Sequence, residues 1–128
     1  MVEAIDHSAE LPLNIGELLS RVDNDQELLR ELVQLFKEEC PRLMKSLQDA
    51  ASKEQMKTLE TTGHTLKGML ASMSATRAAL AASRLQEIGR GGKHSQLKEA
   101  LAALESEIAV LIQYQSWMPA LWTQGFRF

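Results

Sequence analysis

Cysteine is almost missing: Cys40 is the only one in 128 residues. That excludes an intrachain disulfide, and no Cys/His cluster has the spacing of a zinc site. Beside Pro41, a lone cysteine is expected to be a small, half-buried apolar side chain. Proline occupies three positions and aromatic residues make up 5% of the chain, so strand candidates are few. Neither sign of charge dominates, since 14 Lys and Arg stand against 17 Asp and Glu. No basic stripe is interleaved with aromatics, which argues against nucleic acid as a partner. No apolar run reaches the roughly 20 residues of a membrane span. The N-terminal stretch "MVEAIDHSAELPLN" has early acids and no signal-peptide core. A reducing, cytoplasmic setting without membrane insertion is therefore expected.

What is abundant is Leu, Ala, Glu, Gln and Lys, a helix-forming mix. The length suits one domain with one core. Residues 1–13 read as a flexible lead-in. From Asn14 a short helix is expected, with Ile15, Leu18, Leu19 and Val22 on one side. Asp23 or Asp25 can cap the next helix, where Leu28, Leu29, Leu32, Leu35, Phe36, Leu43 and Leu47 recur at helical spacing. Pro41 falls inside that run and predicts a kink or a break. A third helix is expected from about Gln55 to Ser72 and a fourth from about Thr76 to Ile88. "GRGGKHS" then reads as a stop, its glycines supplying left-handed backbone. In a fifth helix from near Ser95, Leu97, Leu101, Leu104, Ile108 and Leu111 form a packing seam. The fold class is all-α, an antiparallel helix bundle over residues 14–112. The aromatic-rich tail, 113–128, fits a segment folded back on the bundle, a docking segment for a partner, or a vector remnant.

The stretch "HTLKG", residues 64–68, raises a question. Glycine inside a helix costs roughly 0.5–1 kcal/mol relative to alanine. On a regular helix Leu59, Gly63, Leu66, Leu70 and Met73 share a narrow core arc, while His64 lies roughly 140° from Leu59 and faces water. Gly68 and Ala71 follow on the same exposed side, and Lys67 flanks the patch. The arrangement is an accessible imidazole above a surface cleared of side chains, with a cation nearby. A neutral imidazole of unperturbed pKa near 6.5 is a good nucleophile. These features suit a histidine that accepts a phosphoryl group from a second protein. An exposed His followed by a Gly can equally be a solvated surface without function. A metal site is not expected: His7 and His94 are distant in sequence, and no Glu or His stands three or four residues after His64. No Ser or Cys motif or orienting acid supports nucleophilic hydrolysis.

"GHTLKG" resembles the phosphorylation motif of histidine-containing phosphotransfer (HPt) domains, in which the His of H-x-L-K-G carries the phosphoryl group. The Leu-rich stretch "LLSRVDNDQELLRELVQLFKEECPRLMKSLQDA" resembles the family's upstream helices, and "ALAASRLQEIGRGG" the helix after the motif. The resemblance covers roughly residues 14–112. It implies a four-helix bundle with an additional short N-terminal helix. It makes His64 the phosphoacceptor, Lys67 a residue that holds or neutralises the phosphate, and Gly68 clearance for the incoming partner. Glu60, Thr61 and Ala71 are candidates for the docking face. The implied partners are response-regulator receiver domains, with a hybrid sensor histidine kinase as a further candidate. The implied chain is a phosphohistidine carrier without its own catalytic machinery. It binds no cofactor itself, and Mg²⁺ is expected on the receiver. Three positions depart from the pattern: Met69 where a small residue is common, Ser74 where Gly is common, and Leu85-Gln86 where a Leu-Glu pair is common. Two rival readings are a phosphoacceptor piece of a chemotaxis-type or hybrid kinase and a docking module that is never phosphorylated.

Overall fold

A computed structural model of the protein describes residues 14–115. The lead-in 1–13, with His7, and the tail from residue 116 onward lie outside the described residues. Five α-helices follow one another: α1 (Ile15–Arg21), α2 (Gln26–Ser52), α3 (Met56–Ser72), α4 (Thr76–Arg90) and α5 (Leu97–Gln115), the last preceded by a 3₁₀ turn, His94–Gln96. No strand occurs among the described residues. α2 packs on α3, α3 on α4, α4 on α5, and α5 returns to α2, closing a ring around one core. Short connections turn each helix back on the one before. α1 packs on α2, and the Asn14 backbone N–H donates to the Ser74 carbonyl at the α3–α4 corner (3.1 Å). No described helix is long and apolar enough to cross a membrane.

Local chemistry sets the helix ends. The Asn14 side chain accepts from the Glu17 N–H, and the Asp25 carboxylate accepts from the N–H groups of Glu27 and Leu28. Asp25, not Asp23, is thus the cap of α2. The core face of α2 is Leu29, Val33, Phe36, Cys40, Leu43, Met44, Leu47 and Ala50. Leu28 and Leu35, expected on that face, are 40% and 49% exposed. Each sits on the flank of a stripe that Leu29, Val33 and Phe36 already fill. Cys40 is fully buried rather than half-buried, and burial pushes its thiol up to about 11.

Pro41 does not break α2, which runs unbroken from Gln26 to Ser52. Pro41 and Lys37 are both exposed, so the carbonyl that loses its N–H partner faces water. Of the three glycines read as the stop after α4, only Gly91 takes a left-handed backbone, with φ 137°, and it terminates α4. Gly89, read from the sequence as part of the stop, lies within α4. Its reason is space: a Cβ there would stand 2.5 Å from the Glu60 nitrogen and 2.7 Å from the Met56 carbonyl oxygen. A Cβ at Gly63 would stand 3.0 Å from the Gln86 nitrogen. Backbone touches backbone at both places, and the buried alanines Ala78, Ala81 and Ala82 keep α4 slim between them. These contacts fix the register of α3 against α4, which positions the site.

Candidate functional site

The core stripe of α3 is as the spacing requires. Leu59, Gly63, Leu66 and Leu70 are buried, with Met73 just beyond the helix. Thr62 is buried as well, its hydroxyl 3.4 Å from that of Ser46 on α2. His64 projects from the opposite side and is exposed.

α4 reaches His64 through Gln86. This glutamine is only 5% exposed, and its Nε2 lies 3.1 Å from His64 Nδ1. Its Oε1 is buried and has no hydrogen-bond partner among the described residues. A side-chain amide presents similar ends after a half-turn, so the orphaned oxygen can take the position facing Nδ1. In that orientation Oε1 accepts the Nδ1–H proton and the otherwise unsatisfied acceptor gains a donor. The imidazole is then held as the Nδ1–H tautomer, with the Nε2 lone pair directed away from Gln86. Sequence reading had noted Gln86 as a departure from a common Leu-Glu pair and gave it no role. Nothing local marks it, because its partner lies 22 residues earlier in the chain.

The face around His64 has low relief. Gly68 is exposed, and a Cβ built on it would meet nothing within 4 Å. The fold itself therefore gives no reason for this glycine, in contrast to Gly63 and Gly89. Ala71 is exposed one turn further on. The Thr61 hydroxyl donates to the carbonyls of Lys57 and Thr58, Thr65 to that of Thr61, and Ser72 to that of Gly68. Three hydroxyls thus fold back onto their own helix and leave the outer surface smooth. Lys67 is half-buried and makes no ion pair with a described residue.

The other flank of His64 is charged. Glu60, half-buried, meets Arg90 of α4 at 3.3 Å and Lys57 at 3.4 Å. The Arg90 guanidinium, with Lys57 helping, holds the Glu60 carboxyl below its ordinary range. Glu60, Arg90, Lys57, Thr61, Thr65, Gln86 and His64 line an open depression of about 380 Å³. Arg90 is the second residue of the site that sequence reading passed over. Among the described residues no group of three His, Cys, Asp or Glu side chains is placed to hold a metal ion.

The described residues form an all-α bundle that presents an exposed imidazole, faced by Gln86, on a cleared helix face. The family model of the Hpt domain matches residues 31–114, well over half of the chain, and the protein belongs to that family. A search of curated proteins and a search of solved structures return no match. Family membership sets the class of chemistry as histidine phosphotransfer in a two-component phosphorelay. Domains of this family act as phosphocarriers that work with receiver domains.

Proposed function

We propose that His64 is the phosphoacceptor, and that the protein is a cytoplasmic relay taking a phosphoryl group from one receiver aspartate and passing it to another. The observation that carries this reading is the pairing of Gln86 with Nδ1 of an exposed His64. It leaves Nε2 as the nucleophile. In the forward step the Nε2 lone pair forms the P–N bond while the P–O bond to the receiver carboxylate breaks. The carboxylate leaves as an anion, and the imidazole ring gains positive charge, which the acceptor bonded to Nδ1–H stabilises. The return step is the reverse, with a receiver carboxylate as nucleophile. Mg²⁺ is assigned to the receiver, and no group on this chain is assigned to hold it.

The chain's own contribution is positioning and charge. Gln86 fixes the ring, Gly68 lets the receiver approach, and Lys67 meets the negative charge of the phosphoryl group. Thr61 and Ala71, with the outer rim at Glu60, form the docking face. The test is incubation with a phosphorylated receiver and Mg²⁺, beside His64→Gln. Transfer to the native protein and none to the variant, with unchanged helicity, is the expected result. Retained transfer in the variant overturns the assignment.

A further inference from the structure

An apolar groove runs between α2 and α5. It holds about 340 Å³ and is lined by Cys40, Pro41 and Met44 on one side and by Ile108, Ala109 and Ile112 on the other. That volume is at the small end of the roughly 300–1,000 Å³ typical of ligand pockets. Ile112 is 45% exposed, and Ala109 is exposed beside it. One end of the groove is closed, where Gln48 Nε2 donates to Glu105 Oε2 across the two helices at 2.8 Å. The other end opens toward Gln115, where α5 ends. Residues 116–128 continue from there as "SWMPALWTQGFRF". Trp117–Trp122 is an unbroken apolar run, of a kind that a protein surface rarely leaves in water without a function. Residues 116–126 include no charged side chain, so covering them strips no ion of its water.

We propose that the segment Trp117–Trp122 folds back on its own chain and docks in this groove, with the Trp122 ring against Met44, Ala109 and Ile112. Pro119 has no N–H to extend the hydrogen-bond ladder of α5, and it biases Met118 away from helical backbone. The chain therefore reverses over Ser116–Pro119. Ile112 and Ile108 precede Gln115 by three and seven residues, about 5–10 Å along the axis. Ala120–Trp122, extended, spans about 10 Å, which brings the ring level with the groove. The wider groove beside His94, lined by Leu97 and Leu101, lies about 21–27 Å from Gln115 along α5, and the Gln48–Glu105 bond stands between. The fit is apolar on apolar, and the indole covers Ala109 and Ile112, which otherwise face water. Its N–H stays at the open rim, where water is its partner. The groove lies across the ring of helices from the α3–α4 face that carries His64. The docked segment thus ties α5 to α2 and leaves the imidazole uncovered.

Both tryptophans of the chain, Trp117 and Trp122, lie in this segment, so the intrinsic tryptophan fluorescence of the full chain reports on it alone. The expected emission lies to the blue of that of a free peptide of residues 116–128 and is less quenched by acrylamide. NOE contacts should join the Trp122 ring to the Ile112 methyls, a readout that requires no substitution. Trp122→Phe should remove most of the blue shift and Trp117→Phe little of it. Ala109→Glu on the exposed lip, and Ile112→Asp, should each move the emission to that of the peptide with helicity unchanged. Val110→Asp, exposed on α5 but outside the groove, should leave it at the native value. Native emission equal to that of the peptide overturns the proposal. A blue shift that survives both Ala109→Glu and Ile112→Asp also overturns it, because the segment then packs elsewhere. Equal losses in the two tryptophan variants overturn the choice of Trp122. A blue shift that grows with protein concentration, alongside a dimer in sedimentation, overturns docking on the same chain and gives the groove to a second copy.

Discussion

Gly68→Ala separates what the fold needs from what a partner needs. In the structure a Cβ at Gly68 meets nothing within 4 Å, and α3 continues through the position to Ser72. The substitution therefore removes only the backbone-entropy cost of a helical glycine, about 0.5–1 kcal/mol. For a chain of this size that raises the melting temperature by about 2–5 °C. Gly89→Ala is the control on the neighbouring helix. Its Cβ would stand 2.5 Å from the Glu60 backbone nitrogen, so α3 and α4 must part, at a cost of about 1–3 kcal/mol. The two glycines thus move stability in opposite directions. On the docking side the new methyl of Gly68→Ala holds the receiver off the helix. A misplacement of an ångström or so slows transfer on the order of 10- to 100-fold. The assays are thermal melts followed by circular dichroism and the rate of transfer from a phosphorylated receiver. A variant that is more stable and transfers at the native rate refutes the clearance role. A less stable variant refutes the reading of the fold around Gly68.

Four further outcomes follow from the same geometry. Ser74 turns the α3–α4 corner with φ 58°, and its buried hydroxyl has no partner among the described residues. Ser74→Gly should thus stabilise the protein by about 1 kcal/mol in chemical denaturation, and a destabilised variant would contradict the strain argument. Gln86→Leu keeps the buried volume but deprives Nδ1 of its partner. It should slow transfer about tenfold or more, the worth of one hydrogen bond to a group that becomes charged, and a native rate would remove Gln86 from the site. Lys67→Ala should slow transfer several-fold without abolishing it, by loss of a single half-buried cation, and an unchanged rate would dismiss Lys67. The Glu60 carboxyl is held below its ordinary range, chiefly by Arg90. Its contribution to stability is fully present above the ordinary carboxylate pKa and is lost as pH falls through the lowered value. Glu60→Gln should flatten the acid limb of the melting temperature against pH, and an identical acid limb would show that the pair contributes nothing.

The parts of the site that lie on one helix were legible in the sequence. Helical spacing alone put His64 opposite Leu59, Gly63, Leu66 and Leu70, and it marked Gly68 as a glycine on an open face. What was not legible depends on how two helices meet. Gln86 and Arg90 gain their meaning from the register of α4 against α3, and that register is fixed by Gly63 and Gly89 through contacts between residues more than 20 positions apart. Gly89 looked like punctuation because it stands beside Gly91 and Gly92, although its task is close approach. The same limit explains Leu28 and Leu35. Periodicity places them near the core stripe, but only the positions of the neighbouring helices decide which residues of a broad apolar arc are covered. The break that Pro41 allowed is missing for a different reason. Its cost depends on whether the carbonyl it abandons can reach water, and on the exposed side of α2 it can. Ser74 is the opposite case: the position where the family resemblance led one to expect glycine is a left-handed corner, with φ 58°, so the departure itself carried structural information.

The account stands or falls on which atom receives the phosphoryl group. The most direct measurement is to load the full chain from a phosphorylated receiver, determine its intact mass at neutral and acid pH, and locate the bond by ¹⁵N–³¹P coupling. The expected result is a gain of one phosphoryl mass that is lost in acid, is absent from His64→Gln, and shows its coupling at Nε2 of His64. Coupling at Nδ1, a phosphoryl group on another residue, or no gain from any receiver would contradict it.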